Sequence, residues 1–460
     1  MSSYILGIDM GTTSVKAVLL ESHSKAVAAS YSMQTSSDIE DCSRIKAYEQ
    51  DTGRIIDTLN QCMEQLPANK LKHVSHIGLS GQMHGVLFWK APSGCDWSSR
   101  KFFISKDTSQ LITWQDGRSN NNFLSTLPKP NSHIALATGF GCVTIFWFLK
   151  HRPNFLEEFT TAGTIQDYVV SMLCGLEKCV MTPQNATSWG YFNTSKNQWN
   201  QEILEGAGFP IHLLPQCIPS GAFAGHTCRD WHGIPPGTPV GAALGDFQCS
   251  VYSSMRTHSD AVLNISTSAQ LTHAMPVGFT PPVSPQSDSP VTYFPYFEST
   301  YLAVAASLNG GNVLATFVDM LMKWMSELGA ELPMSSIYEK LIGCAETQST
   351  SDLNVLPTIL GERHRPLCMG QVTNICLSNI SLGHVTRALC HGIISNLSSM
   401  MPAAYLKQAG VTRVVGSGTA LERNQVLKQE VERAFAQMSV VYGQNADSAV
   451  GVAMVLCDRI

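Results

Sequence analysis

An apolar run, one carboxylate, a turn of small hydroxyl residues and a second apolar run open this chain. They read Tyr4-Ile5-Leu6-Gly7-Ile8-Asp9, then Met10-Gly11-Thr12-Thr13, then Ser14-Val15-Lys16-Ala17-Val18-Leu19-Leu20. The pattern predicts strand, tight turn, strand. Gly11 lets the backbone approach an anion closely, and Thr12, Thr13 and the turn amides can donate hydrogen bonds to phosphate oxygens. Asp9, ending the first strand beside them, is placed to hold a hydrated Mg²⁺ that balances phosphate charge. A Walker-type loop would need Gly-Lys-Ser/Thr running straight into a helix. Here Lys16 falls inside the second run, where Val15, Ala17 and Leu19 alternate at period two. An ordinary buried hairpin with Asp9 as a turn former is the plain alternative.

The same pattern returns in the second half: Ala261-Val262-Leu263-Asn264-Ile265, Ser266-Thr267-Ser268, Ala269-Gln270-Leu271-Thr272, this time without the carboxylate. At 460 residues the chain exceeds one ordinary hydrophobic core, so two domains with a ligand cleft between them are expected. The echo points to a duplicated domain, each copy beginning with a phosphate-facing hairpin and only the first holding metal. Chance similarity of two short hairpins is the alternative. The boundary falls near Ser253 to Ser259, giving domains 1–255 and 256–460. Strand-like runs at His76-Ile77-Gly78-Leu79-Ser80 and from Thr238 to Gly245 alternate with helical patterns. Ile55, Ile56, Leu59, Cys62, Met63 and Leu66 share one helical face, and Leu421 to Met438 predicts a long amphipathic helix leading into a strand at Ser439-Val440-Val441-Tyr442. Strands and helices mixed through both halves argue for α/β layers.

Composition narrows the class. Hydrophobic residues make up 44% and charged residues 14%, which leaves no room for a long charged tail. A formal net charge of −5 and the lack of a basic stripe disfavour a nucleic-acid partner. The 14 cysteines are scattered without Cys-x-x-Cys pairs, which predicts reduced thiols rather than disulfides or zinc. With no secretory signal pattern and no apolar stretch of membrane-spanning length, a cytoplasmic protein with no membrane partner is expected.

Five further segments carry chemistry. In Ser80-Gly81-Gln82-Met83-His84-Gly85 an amide and an imidazole share a short turn, which suits a polyhydroxylated ligand, although His84 can equally be a hydrogen-bonded structural histidine. In Thr113-Trp114-Gln115-Asp116-Gly117-Arg118 the indole offers a flat face to a sugar, while Asp116 and Arg118 either bond hydroxyls or pair with each other. Asp246 stands between a small apolar run and a helix start, where it can take a proton from an attacking hydroxyl or serve as a plain N-cap. Arg413-Val414-Val415-Gly416-Ser417-Gly418-Thr419 is a strand entering a glycine turn suited to a nucleotide, and Asn309-Gly310-Gly311-Asn312 opens a helix that can contact phosphate.

The ordered set of these segments resembles the FGGY family of carbohydrate kinases. It runs from Gly7-Ile8-Asp9-Met10-Gly11-Thr12-Thr13 through Gln82-Met83-His84-Gly85, Trp114-Gln115-Asp116-Gly117-Arg118, Gly245-Asp246, Ser266-Thr267-Ser268 and Gly361-Glu362-Arg363 to Gly416-Ser417-Gly418-Thr419. The resemblance implies an α/β fold of two actin-like (ribonuclease H-like) ATPase domains flanking a central cleft. It implies ATP and Mg²⁺ as cofactors, with the metal on Asp9 and the nucleotide on Gly11, Thr12, Thr13, Lys16, Thr267, Gly310, Gly311, Gly416, Ser417, Gly418 and Thr419. Asp246 would be the catalytic base, and Gln82, Met83, His84, Asp116 and Arg118 would bind the sugar. The part of the family it looks most similar to phosphorylates the seven-carbon ketose sedoheptulose at its terminal hydroxyl, feeding the pentose phosphate pathway. A kinase of the ketopentose xylulose is the alternative, and an actin- or chaperone-like nucleotide switch is the rival from another class. The chain departs from the family's usual wording where Ser266, Ala269 and Ser417 replace glycines and where Phe247 follows Asp246. Nothing in the sequence speaks to oligomeric state.

Overall fold

The computed structural model describes residues 3–40, 46–443 and 446–459. Strands β1 (Tyr4–Met10) and β2 (Ser14–Glu21) form the expected antiparallel hairpin, with Asp9 opposite Lys16. β3 (Val27–Gln34) extends the meander beyond β2, and β4 (Val74–Gly81) lies parallel to β1 on the other side. With β5 (Phe223–His226) and β6 (Pro239–Gly241) the order is β5-β6-β4-β1-β2-β3, and the short β7 (Leu244–Gly245) also pairs with β4. Leu6, Ile8 and Met10 of β1 and Val15, Ala17 and Leu19 of β2 share one core with Ile55, Ile56, Leu59, Cys62 and Met63 of helix α1 (Thr52–Glu64). Ile5 and Leu20 face the opposite side and join a second core. Burial on both faces is why the run reads as almost continuously apolar rather than alternating.

The second sheet repeats this wiring. Strands β8 (Asp260–Ile265), β9 (Ala269–Ala274), β10 (Val291–Pro295), β11 (Tyr301–Ser307), β12 (Arg413–Ser417) and β13 (Ser439–Tyr442) run in the order β10-β11-β9-β8-β12-β13. β8, β9 and β11 are antiparallel, and β12 and then β13 continue parallel to β8. In both sheets a hairpin plus a third antiparallel strand is followed by two parallel strands, so the echo between the two hydroxyl turns is an echo of topology.

Further helices around these sheets include α2 (Ile165–Cys174), α3 (Asp246–Ser254), α4 (Gly311–Glu327), α5 (Leu382–Met400), α6 (Thr419–Arg423), α7 (Gln425–Ala434) and α8 (Ser448–Cys457). The single helix expected from Leu421 to Met438 is two, α6 and α7. Asn424 leaves the helical conformation (φ −125°, ψ 102°) and its side chain accepts from the backbone N–H of Val426 at 2.9 Å and Leu427 at 3.2 Å, capping a new start.

The last helix returns to the first sheet. α8 packs on β1, β4 and α3, so a division of the sequence at 255/256 leaves in the second half a helix that sits on the first sheet. The contact is backbone-close: a Cβ on Gly7 would stand 2.0 Å from the carbonyl oxygen of Ala449, and one on Gly451 would stand 1.9 Å from that of Cys249. Only glycine permits this approach.

Candidate active site

Two carboxylates meet where the first sheet ends. Gly81 of β4 pairs with Met10 on one side and Gly245 on the other, so the end of β1 and the start of α3 flank the same residue. Asp9 and Asp246 are thereby brought together from distant parts of the chain. Oδ1 of Asp9 accepts a hydrogen bond from the Ser80 hydroxyl at 2.9 Å, and Oδ1 of Asp246 accepts from the Phe247 N–H at 2.7 Å. Burial raises the pKa of Asp246 from 3.8 to about 7, with the charge of Asp9 adding to the shift and the backbone N–H bonds opposing it. Burial also raises Asp9, to about 6, against the Ser80 bond; Asp447 adds to the rise and Lys16 opposes it. Asp246 is the first residue of α3 behind the cap residue Gly245, and one of its oxygens takes the first-turn N–H of Phe247.

This pair fits a hard cation. Among the described residues no cluster of three metal-ligating side chains occurs. Mg²⁺ usually takes only one or two carboxylates and completes its shell with water and phosphate oxygens. Crowded acids without a neutralising cation are the arrangement such an ion would relieve. Asp9 is the residue that would hold it, with Asp246 beside it left free for the sugar hydroxyl.

Beside the pair lies the turn after β4. The Gly85 N–H donates to the Met83 carbonyl at 3.0 Å, which closes a three-residue turn around His84 at φ 74°, a conformation side chains rarely adopt. Nδ1 of His84 lies 2.9 Å from the Ser188 carbonyl and therefore carries the proton, leaving Nε2 as an acceptor. The ring stacks on Phe140 at 4.9 Å. Burial lowers the His84 pKa, the Ser188 bond opposes this, and the charge of Arg363 lowers it further, so the ring is neutral. Gln82 is nearly enclosed; its Nε2 donates to Gln50 Oε1 at 3.0 Å, and Gln50 Nε2 donates to the Thr12 carbonyl at 2.6 Å. Gln82 thus couples this turn, through Gln50, to the Gly11-Thr12-Thr13 turn. Met83 packs against Gly245, where an added Cβ would stand 2.7 Å from its sulfur.

Asp116 and Arg118 belong to a different part of the machinery. Their side chains are each 1% exposed and joined at 2.8 Å, and Arg118 also reaches Glu49 at 2.5 Å. The other Asp116 oxygen accepts from the Tyr48 N–H at 2.9 Å. Of the two readings the sequence left open for them, the geometry shows the mutual pair. It braces the loop carrying Trp114, whose Nε1 donates to Thr12 Oγ1 at 3.0 Å.

The residues expected to bind nucleotide lie around the two hydroxyl turns. Thr13, Thr267 and Ser268 are exposed at the turn tips, with Gly11 and Thr12 partly so. Gly310 and Gly311 open α4 directly against the second turn: an added Cβ would stand 2.5 Å from the Ser268 carbonyl carbon and from the Ser266 oxygen, respectively. The Gly311 N–H donates to the Ser266 carbonyl at 2.8 Å and that of Asn312 to Thr267 at 3.1 Å, so the turn is held by the helix head. Gly418 adopts φ 103° and begins α6 at Thr419. Ser417 turns inward, accepting from Asn264 Nδ2 at 3.2 Å. Lys16 forms an ion pair with Asp447, the residue capping α8.

Several working residues escaped sequence reasoning. Ser80 had a signal, since it is the register partner of Asp9 once β1 and β4 pair. Gln50 and Asp447 carried none, because each reaches the site from a distant element. Glu362 was visible only as part of its motif, with no sign of what its carboxylate does. It anchors the loop before Arg363 by accepting from Ser307, Asn309 and Asn396 side chains at 2.5, 2.8 and 2.9 Å.

Two sheets of repeated topology, each presenting a hydroxyl turn, with a half-buried carboxylate pair beside the first, define a two-lobed phosphotransferase. The profile of the "FGGY family of carbohydrate kinases, N-terminal domain" matches residues 4–252. The chain is 55% identical to a sedoheptulokinase of Mus musculus over 463 residues, covering 99% of this chain and 97% of the relative. It is 53% identical to a sedoheptulokinase of Homo sapiens over 465 residues with the same coverage. A xylulose kinase from Rhodospirillum rubrum superposes with a TM-score of 0.80 at 18% identity, covering 98% and 89% of the two chains. Plasmodium falciparum glycerol kinase with ADP gives 0.76 at 17%, covering 99% and 89%. This chain belongs to the FGGY family of carbohydrate kinases, with the expected α/β fold of two actin-like lobes, and it is an enzyme rather than a nucleotide switch.

Proposed function

We propose that this kinase transfers the γ-phosphoryl group of ATP to the terminal hydroxyl of sedoheptulose, giving sedoheptulose 7-phosphate. The observation that carries the reaction type is the placement of Asp246 beside Asp9, at the junction of the histidine turn and the first phosphate turn. The substrate rests on the identity to the mouse and human sedoheptulokinases along nearly the whole chain.

In this reading the ketose lies against the turn of Gln82, Met83 and His84, with the neutral His84 Nε2 accepting from a sugar hydroxyl. Asp246 accepts the proton of the terminal hydroxyl as that oxygen attacks phosphorus, and a pKa raised toward neutrality suits a base working near pH 7. The turns at Gly11-Thr12-Thr13 and Ser266-Thr267-Ser268 hold the phosphates from opposite lobes, whose closing would exclude water. Mg²⁺ held on the Asp9 side would offset phosphate charge. The lobes correspond to 1–255 and 256–460, with α8 returned to the first. A cytoplasmic location and supply of the pentose phosphate pathway belong to the same proposal.

The test is sugar-dependent ADP release with sedoheptulose, xylulose, ribulose, gluconate and glycerol. The highest kcat/KM is expected for sedoheptulose. A strong preference for xylulose would overturn the substrate while sparing the family, and ADP release indifferent to every sugar would overturn the reaction.

A further inference from the structure

The head of the last helix meets the first hairpin and α3 at three points. Asp447 Oδ1 caps α8 by accepting from the Val450 N–H at 3.1 Å, while Oδ2 takes the ammonium of Lys16. The Asp447 N–H donates to the Ser253 hydroxyl at 3.0 Å, and the Ser448 hydroxyl donates to the backbone carbonyl of Asp246 at 3.0 Å. Lys16 is the cross-strand partner of Asp9, and directly opposed residues project to the same face of a sheet. Its ammonium therefore stands on the Asp9 side of the hairpin whose turn faces phosphate. The charged groups around it are Asp9 on its own sheet and Asp447 on the helix above.

We propose that Asp447 is a positioning residue that holds Lys16 in the empty enzyme and gives it up to the phosphates of ATP. This rests on the proposed function in taking ATP as the ligand of the hairpin turn. Three observations carry it. One Asp447 oxygen is committed to the helix cap, so the other alone retains Lys16. The pair is accessible, with side chains 36% and 16% exposed, so it exchanges partners at modest cost. And the glycine contacts at Gly7 and Gly451 fix α8 against β1 and α3, so exchange requires only the lysine side chain to move. A triphosphate arriving at the turn competes with Asp447 for Lys16, and the uncompensated carboxylate then repels it.

Asparagine caps helices as well as aspartate does, so Asp447→Asn removes the charge and keeps the cap. Equilibrium binding of ATP with Mg²⁺, measured by calorimetry without sugar, should tighten about two- to fivefold, the scale of a partly exposed ion pair. The melting temperature should hold. In a Lys16→Met background the same substitution should tighten binding much less, because no lysine remains to be freed. Asp447→Ser provides a second neutral, cap-competent variant should the asparagine form fold poorly. Unchanged or weaker binding in a folded neutral variant, or equal tightening with and without Lys16, overturns the proposal. Wild-type protein that binds no ATP overturns the functional reading instead.

Discussion

The negative charge of Asp9 helps keep the proton on Asp246, on top of the larger effect of burial. In the free enzyme Asp246 is therefore protonated well above the ordinary carboxylate range, and a protonated acid cannot accept the sugar proton. The kcat/KM for sedoheptulose should accordingly fall as pH drops below about 7 rather than below about 4. A pH–rate profile at subsaturating ATP and sugar, where the rate reports the free enzyme, checks this. A flat profile from pH 5 to 8 would remove Asp246 from the base role.

Substitution of the same residue separates chemistry from stability. Asp246→Asn should lower kcat by about 10²- to 10⁴-fold, the usual share of a general base. The folded-state pKa is raised from 3.8 to about 7, so the folded protein holds a proton that the unfolded chain releases in that window. Its contribution to stability is full below the unfolded value and is lost as pH rises through the folded one. At pH 8 the wild type carries the unfavourable charge and the asparagine variant does not. Thermal melting at pH 8 should therefore show the variant no less stable than the wild type, while sugar-dependent ADP release collapses.

Trp114 links the brace to the turn at Thr12, which the proposed function assigns to phosphate. Its indole N–H donates to the Thr12 hydroxyl oxygen at 3.0 Å, which leaves the hydroxyl hydrogen free to donate elsewhere. Trp114→Phe keeps an aromatic ring and deletes that donor. The KM for ATP should rise about two- to tenfold, matching the loss of one hydrogen bond, with little change in the KM for sugar. Steady-state kinetics varying each substrate in turn distinguishes the two.

The parts of this molecule legible in its sequence are those written in local pattern. The hairpin at Asp9, its echo at Ser266 and the helix start at Asp246 each combine an apolar period with a turn residue, and those signals survive folding unchanged. What stayed hidden depends on elements meeting across the fold. Nothing near Asp447 in the sequence announces Lys16, and nothing near Gln50 announces both Gln82 and Thr12. The single helix drawn over 421–438 failed for a local reason: the side chain of Asn424 offers the next turn a better cap than continuation would. For Asp116 and Arg118 the residue types permitted hydroxyl binding or mutual pairing, and only their burial shows which they do.

That burial sets the consequence of removing Arg118. Its guanidinium joins Asp116 and Glu49 and lies 5.2 Å from the ring centre of Trp147 and 5.1 Å from that of Phe148. Arg118→Ala would leave the Asp116 carboxylate enclosed with only backbone N–H partners and open a gap against two aromatic rings. The expected loss is about 3–5 kcal/mol of folding stability, since an unpaired buried charge costs far more than an exposed one. Urea denaturation at fixed pH measures it. Were the guanidinium a sugar ligand, the variant would instead unfold at nearly the wild-type midpoint and show its defect as a raised KM for the ketose.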